Sequence, residues 1–134
     1  MKFVHILLLA SLAAVPGCDS DTNEPIVTSI AETFASRLQE NGSAWRSVNV
    51  TKAGDVTIQL VTVTQVDAKL NLGIGTISGT QCVLAASVDT VANAAEIAPR
   101  LVRTVSTGTY CVRIADIGNL TQLVDFSIRI EKPF

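Results

Sequence analysis

Histidine supplies much of the acid–base and metal chemistry of proteins near neutral pH, and this chain of 134 residues contains it once, at His5. Because His5 lies near the N-terminus, within residues 1–17, the rest of the chain has no Ser-His-Asp or Cys-His arrangement and no histidine metal ligand. The serines fit neither a G-x-S-x-G nor an S-x-x-K pattern. Asp116 precedes Ile117-Gly118-Asn119, which is typical of a turn-capping aspartate rather than a general acid. The sequence therefore predicts a protein that is not an enzyme.

Cys18 has the most defined setting of the three cysteines. It follows Lys2 and an apolar run at 6–15, which is shorter than the roughly 20 residues of a membrane-spanning helix and typical of a signal peptide. Val15-Pro16-Gly17-Cys18 resembles the lipobox of bacterial lipoproteins. The resemblance implies a signal peptide over residues 1–17, lipidation of Cys18, and a membrane-anchored protein facing the periplasm or the cell exterior. The alternative is ordinary signal cleavage nearby, which would leave a secreted domain with a free thiol.

The segment after Cys18 is polar and acidic, without apolar periodicity. It predicts a flexible tether over residues 18–30, followed by a single domain at 31–134. Calcium takes oxygen ligands, and several oxygen-bearing side chains lie close together in this segment, so they are weak calcium candidates, although no D-x-D-x-D-G loop is present. These side chains belong to Asp19, Asp21, Asn23 and Glu24. A solvated tether is the preferred interpretation, and we expect no other metal or cofactor.

Cys82 and Cys111 remain once Cys18 is assigned to lipid, and the predicted export places them in an oxidising compartment. A disulfide between them would close a loop of about 30 residues and contribute about 3.5 kcal/mol in the chain-entropy model. A redox pair or a metal site is disfavoured because there is no C-x-x-C spacing and no third thiol. Since Cys111 alternates with Tyr110 and Val112, we expect the bridge on a sheet face or rim rather than in the core.

The charge pattern disfavours nucleic acid as a partner. Without Lys2 the chain has nine basic and twelve acidic residues, a net charge of −3. Its arginines are isolated on strand-like segments, and aromatic residues make up only 4% of the chain. A basic patch and a stacking platform, the two features that bind nucleic acid strands, are therefore not predicted.

Alternation of apolar and polar residues dominates the chain from about Ile26 onward. In the clearest segment, Val56, Ile58 and Leu60 share one face of a strand. About eight such strands, each with one buried and one wet face, predict an all-β fold: an antiparallel sandwich. Residues 90–95 are alanine-rich and are predicted to form a loop. The predicted strands are 33–38, 44–50, 56–62, 70–74, 82–87, 96–103, 110–115 and 124–131.

Several of these strands share motifs with a known family. Gly108-Thr109-Tyr110-Cys111-Val112-Arg113-Ile114 resembles the G-T-Y-x-V-x-V strand of bacterial pre-peptidase C-terminal (PPC) domains. Three further segments match the family in the same order, and the resemblance spans about 31–132. It implies a jelly-roll-like β-sandwich with an accessory, non-catalytic role. The further segments are Gly54-Asp55-Val56-Thr57-Ile58, Asp67-Ala68-Lys69-Leu70-Asn71-Leu72, and Asn93 with Glu96.

Trp45 is the single tryptophan of the chain and the candidate binding residue. Its position in the strand is opposite in parity to Val48 and Val50, so if those are in the core Trp45 is partly exposed, as sugar-stacking and protein-contacting tryptophans are. The alternative is that it packs beneath a loop or across the second sheet. The sequence thus predicts a cell-envelope lipoprotein that binds a protein or a polysaccharide; the alternatives are a purely structural envelope domain and a calcium-binding sandwich.

Overall fold

The computed structural model describes residues 28–92 and 100–134, which form strands joined by short turns and loops. The predicted signal peptide, Cys18, and the calcium candidates Asp19, Asp21, Asn23 and Glu24 lie outside these ranges. No helix within them is long and apolar enough to cross a membrane. The strands are β1 (Ser29–Leu38), β2 (Ser43–Val50), β3 (Gly54–Val63), β4 (Ala68–Ser78), β5 (Gln81–Ala92), β6 (Arg100–Val105), β7 (Gly108–Asp116) and β8 (Val124–Pro133).

The strands pair as a nested series of antiparallel ladders. β4 pairs with β5, β3 with β6, β2 with β7, and β1 with β8. This long double ribbon is folded over so that β3 also pairs with β8, and β4 with β7. The result is a first sheet of order β1-β8-β3-β6 and a second sheet of order β2-β7-β4-β5. Two packed four-stranded sheets with this nested pairing are a jelly roll, which confirms the predicted antiparallel sandwich.

Alternate residues of the strands build the core between the two sheets. In β8, Phe126, Ile128 and Ile130 are buried, whereas Asp125 and Arg129 between them are exposed. Burying one such large apolar side chain stabilises the fold by about 1.5–3 kcal/mol. The period of two in the sequence therefore marks the sheet faces as well as the strands.

The connections between strands alternate between the two ends of the sandwich. The β1–β2, β3–β4 and β7–β8 connections, at 39–42, 64–67 and 117–123, lie at one end, which we call the loop end. The chain enters β1 at the opposite end. There Lys132 points inward from β8, donates a hydrogen bond from Nζ to the Asn49 carbonyl oxygen at 2.7 Å, and pairs with Glu32. An inward-facing lysine thus joins the two sheets at the end where the core opens to solvent.

Every strand differs from its predicted range at one boundary or both, and two of the differences show how strand pairing extends a strand. β5 continues through residues 90–92, which were predicted as part of a loop, because Thr90 and the two residues after it pair with the start of β4. An alanine-rich stretch gives no periodicity from which that pairing could be read. β1 begins at Ser29, two residues before the predicted domain start at 31, because Ser29 and Ile30 pair with the end of β8. Residues 93–99, with Asn93 and Glu96, lie outside the described ranges.

Candidate functional site

The predicted disulfide is confirmed: Cys82 of β5 is bonded to Cys111 of β7, with 5.8 Å between their Cα atoms. Both cysteines are buried, yet neither belongs to the core cluster between the sheets. Cys111 alternates with Val112, which faces the core, so the bridge lies on the outer face of the second sheet. It connects two strands that are not neighbours, because β4 runs between them.

Two glycines of β4 allow the β4–β5 hairpin to fold over this outer face. A Cβ atom on Gly75 would lie 1.8 Å from the Val83 carbonyl oxygen, and one on Gly73 would lie 2.5 Å from Leu84 Cδ1. The β4–β5 register shifts between Ile74 and Gly75, which is the point where the hairpin bends. Since Gly75 stands directly opposite Cys111, the bend brings Cys82 across β4 to form the bridge.

Trp45 lies on the same outer face, on the edge strand β2. Val48 and Val50 are each only 1% exposed and face the core, whereas Trp45, of opposite parity, is partly exposed. Trp45 is directly opposite Arg113 of β7. Cβ atoms of directly opposed residues in an antiparallel pair are about 5 Å apart. The indole and the guanidinium therefore leave the sheet side by side.

Arg113 is half-buried, and its Nε atom is fully buried without a hydrogen-bond acceptor among the described residues. A buried donor without a partner costs about 1–3 kcal/mol. On its other side Arg113 is opposite Gly73 of β4, which has no side chain to supply an acceptor. The backbone of Arg113 is thus held by strands on both sides, and its Nε–H donor has no acceptor among the described residues.

Polar side chains lie on the same outer face as this pair, which also carries Leu84 over Gly73 and the Cys82–Cys111 bridge. On β4, two residues before Gly73, Asn71 Nδ2 donates a hydrogen bond to Asp89 Oδ1 of β5 at 2.7 Å. Ser43 and Ser47 flank Trp45 on β2, and both are exposed. We call this surface the Trp–Arg face. It consists of Ser43, Trp45, Ser47, Asn71, Asp89 and Arg113.

Sequence reasoning predicted Trp45 as a binding residue but missed its polar neighbours. Arg113 carries a recognisable signal, because it alternates with Val112 and Ile114 and must therefore point away from the core. Its proximity to Trp45 depends on the pairing of β2 with β7, which alternation does not specify.

The carboxylate of Asp116 has a structural role at the loop end. It accepts hydrogen bonds from the backbone N–H groups of Asn41 at 2.7 Å, Gly118 at 2.9 Å, Asn119 at 3.2 Å and Leu120 at 3.4 Å. Burial raises the pKa of Asp116, but the four donors outweigh it and the net pKa is lowered. The side chain is thus a turn cap that joins the β1–β2 and β7–β8 connections, as its sequence context predicts.

An open groove of about 400 Å³ lies beside this cap, lined by Arg37, Gln39, Gly42, Ser43 and Leu123. Its cation, Arg37, is paired with Asp125 at 3.2 Å on an exposed surface. The lining contains no carboxylate. Over residues 28–92 and 100–134, no three His, Cys, Asp or Glu side chains come together as a metal site. The groove therefore offers less chemistry than the Trp–Arg face.

No family model matches the chain, and neither does any curated protein sequence. Among solved structures, the chain is similar to the mitogen YPM derived from Yersinia pseudotuberculosis, with a TM-score of 0.56 and 15% identity over 77% of this chain and 86% of that one. It also matches a Sulfurospirillum deleyianum protein, with a TM-score of 0.43 and 12% identity over 72% and 96% of the two chains. The first similarity shows a shared β-sandwich fold. Neither structure identifies the chain as a PPC domain.

Proposed function

We propose that this protein is a non-catalytic, lipid-anchored module of the bacterial cell envelope, and that it binds a polysaccharide through the Trp–Arg face. The observation that carries the proposal is the partly exposed indole of Trp45 on a sheet face lined by small polar side chains. An indole presents a flat apolar surface together with an N–H donor. It can stack on the C–H face of a sugar ring while the surrounding amide, carboxylate and hydroxyl groups bond the sugar hydroxyls.

A polysaccharide suits this face better than a protein partner. The central part of a protein–protein interface is apolar and depleted in charged residues. Here Ser43 and Ser47 flank Trp45 on β2 and Arg113 is directly opposite, with the buried Ala115 and Cys111 at the diagonal positions. The exposed large apolar side chains in the described ranges lie on several strands and loops instead of around Trp45. They are Val61, Val66, Ile77, Val83, Val91, Val102, Ile117, Leu123 and Phe134.

The envelope location is supported by the lipobox-like sequence at Cys18 and by the disulfide, which fits an oxidising compartment. β1 begins at Ser29 at the end of the sandwich opposite the loop end. The ten residues between Cys18 and Ser29 span at most about 35 Å. In this proposal the sandwich stands close to the membrane, with the loop end outward and the Trp–Arg face along its side. The order of PPC-like motifs supports an origin of the sandwich among PPC domains.

Sedimentation of the full-length protein with isolated, insoluble cell-envelope polysaccharide tests the proposal. We expect saturable co-sedimentation of the wild type and about tenfold weaker binding of Trp45→Ala, which corresponds to about 1.4 kcal/mol. Phe134→Ala is the matched control, because Phe134 is an aromatic residue 65% exposed on another part of the surface; its binding should be unchanged. Cys18→Ala should lose membrane association and retain polysaccharide binding. Equal binding of Trp45→Ala and wild type would contradict the Trp–Arg face as the binding surface, and no binding of the wild type would favour a purely structural envelope domain.

A further inference from the structure

We infer that the polysaccharide bound at the Trp–Arg face is acidic, and that Arg113 pairs with a carboxylate of the sugar adjoining Trp45. This inference rests on the proposed function and adds the charge of the ligand to it. It is carried by Arg113, whereas the proposed function is carried by Trp45, so the two can be tested separately.

Arg113 has a charge without a counter-ion in the part of the chain that the structure describes. The ion pairs there are Arg37–Asp125, Arg129–Glu131 and Lys132–Glu32. The acidic residue of the Trp–Arg face, Asp89, accepts a hydrogen bond from Asn71 and lies on β5, two strands away from Arg113. The guanidinium is therefore free to take an external anion.

The shape of the guanidinium indicates which kind of anion fits. A guanidinium binds a carboxylate through two parallel N–H···O bonds. Because Nε has no exposed surface whereas Arg113 as a whole is half-buried, an external carboxylate would bind end-on to the two Nη atoms. A carboxylate also matches one guanidinium in charge. A phosphomonoester carries nearly two negative charges, and Arg113 is the one cation among the six residues of the face.

The spacing of the strands places the anion next to a stacked sugar. Neighbouring strands are about 4.8 Å apart, which is close to the width of a pyranose ring, and Trp45 and Arg113 are directly opposed on neighbouring strands. A sugar stacked on Trp45 would therefore direct a ring carboxylate toward Arg113. Uronic acids carry their carboxylate directly on the ring and are the ligand class that this arrangement selects.

Trp45 is the only tryptophan, so its fluorescence reports directly on the Trp–Arg face. The experiment titrates the full-length protein in detergent micelles with polygalacturonate and with the same polymer after reduction of its carboxyl groups. We expect saturable changes with both polymers and tighter binding of the acidic one. Arg113→Gln should weaken polygalacturonate binding about tenfold and leave the binding of the reduced polymer unchanged. Arg113→Lys, which keeps the charge but not the planar fork, should recover only part of the loss.

Arg103→Gln is the matched control, because Arg103 is an exposed arginine on β6 of the other sheet. It removes the same charge and should leave both affinities unchanged. Thermal unfolding of both variants, compared with wild type, verifies that they are folded.

Three results would overturn the inference. The first is no saturable response of the wild type to polygalacturonate. The second is an equal loss of affinity in Arg113→Gln and Arg103→Gln, which would indicate non-specific attraction. The third is equal binding of poly-L-glutamate, which would indicate an acidic protein segment as the ligand. If envelope polysaccharide is still bound in a Trp45-dependent manner, the proposed function survives each of these results; loss of that binding contradicts the proposed function itself.

Discussion

Single side chains hold together loops that no regular hydrogen-bond ladder connects. Asp116 does this at the loop end through four backbone donors, and Asn119 extends the network by accepting from the Lys69 N–H at 2.6 Å and donating to the Asp67 carbonyl at 2.7 Å. A carboxylate that accepts several backbone N–H groups is stabilised in its charged form. Because folding lowers the pKa of Asp116, we expect the contribution of this carboxylate to stability to depend on pH.

Asp116→Ala should destabilise the fold by about 1–2 kcal/mol at pH 7, the typical loss for a capping carboxylate. The folded-state pKa of Asp116 lies below its usual value of 3.8, so the stabilisation is present above that value and is lost as the pH falls through the folded pKa. Urea denaturation of both proteins from pH 7 to pH 2.5 measures the difference. A gap between wild type and variant that stays constant down to pH 2.5 would contradict this role.

The strands themselves are largely predictable from the sequence, for a physical reason. In β3 and β8 one face is buried and the other is more exposed, so apolar and polar residue types alternate along the sequence of these strands. This alternation does not specify which strands pair with each other. Trp45 and Arg113 come together only because β2 pairs with β7, two strands far apart in the chain, and alternation specifies faces but not neighbours. The sequence therefore predicts the fold class and the partial exposure of Trp45, but not that Arg113 lies beside it.

The β4–β5 hairpin depends on Gly75, where a side chain cannot be accommodated. Gly75→Ala should destabilise the protein by about 3 kcal/mol, because its Cβ would overlap the Val83 backbone and overpacking at this level forces the main chain to move. Gly79→Asn is the control, since Gly79 has a positive φ of 59° with open space around it and Asn tolerates that conformation. Urea denaturation compares the two variants, and a Gly75→Ala protein as stable as wild type would contradict the described bend.

The disulfide fixes that bend and closes a segment with a sequence separation of 29. Replacing both cysteines by Ser should lower the free energy of unfolding by about 3.5 kcal/mol, a decrease of about 14–28 °C in Tm for a domain of this size. Differential scanning calorimetry of wild type and the Cys82→Ser/Cys111→Ser variant measures the effect. An unchanged Tm would show that the bridge does not contribute to stability.

At the scale of the whole molecule, three parts of the jelly roll have different roles. The core between the sheets provides stability, the end where β1 begins leads toward Cys18, and the outer face of the second sheet carries Trp45 and Arg113. The bridge and the folded hairpin lie on that same outer face, so they stabilise the strands from which the Trp–Arg face is built. In our account this face, and not the groove at the loop end, meets the polysaccharide.

The most direct test of this account is the affinity of full-length Trp45→Ala for isolated cell-envelope polysaccharide, compared with wild type and Phe134→Ala by sedimentation. The account predicts that Trp45→Ala binds about tenfold more weakly, while Phe134→Ala binds as tightly as wild type. If Trp45→Ala sediments with the polysaccharide as well as the wild type does, the Trp–Arg face is not the binding surface and the central claim is contradicted.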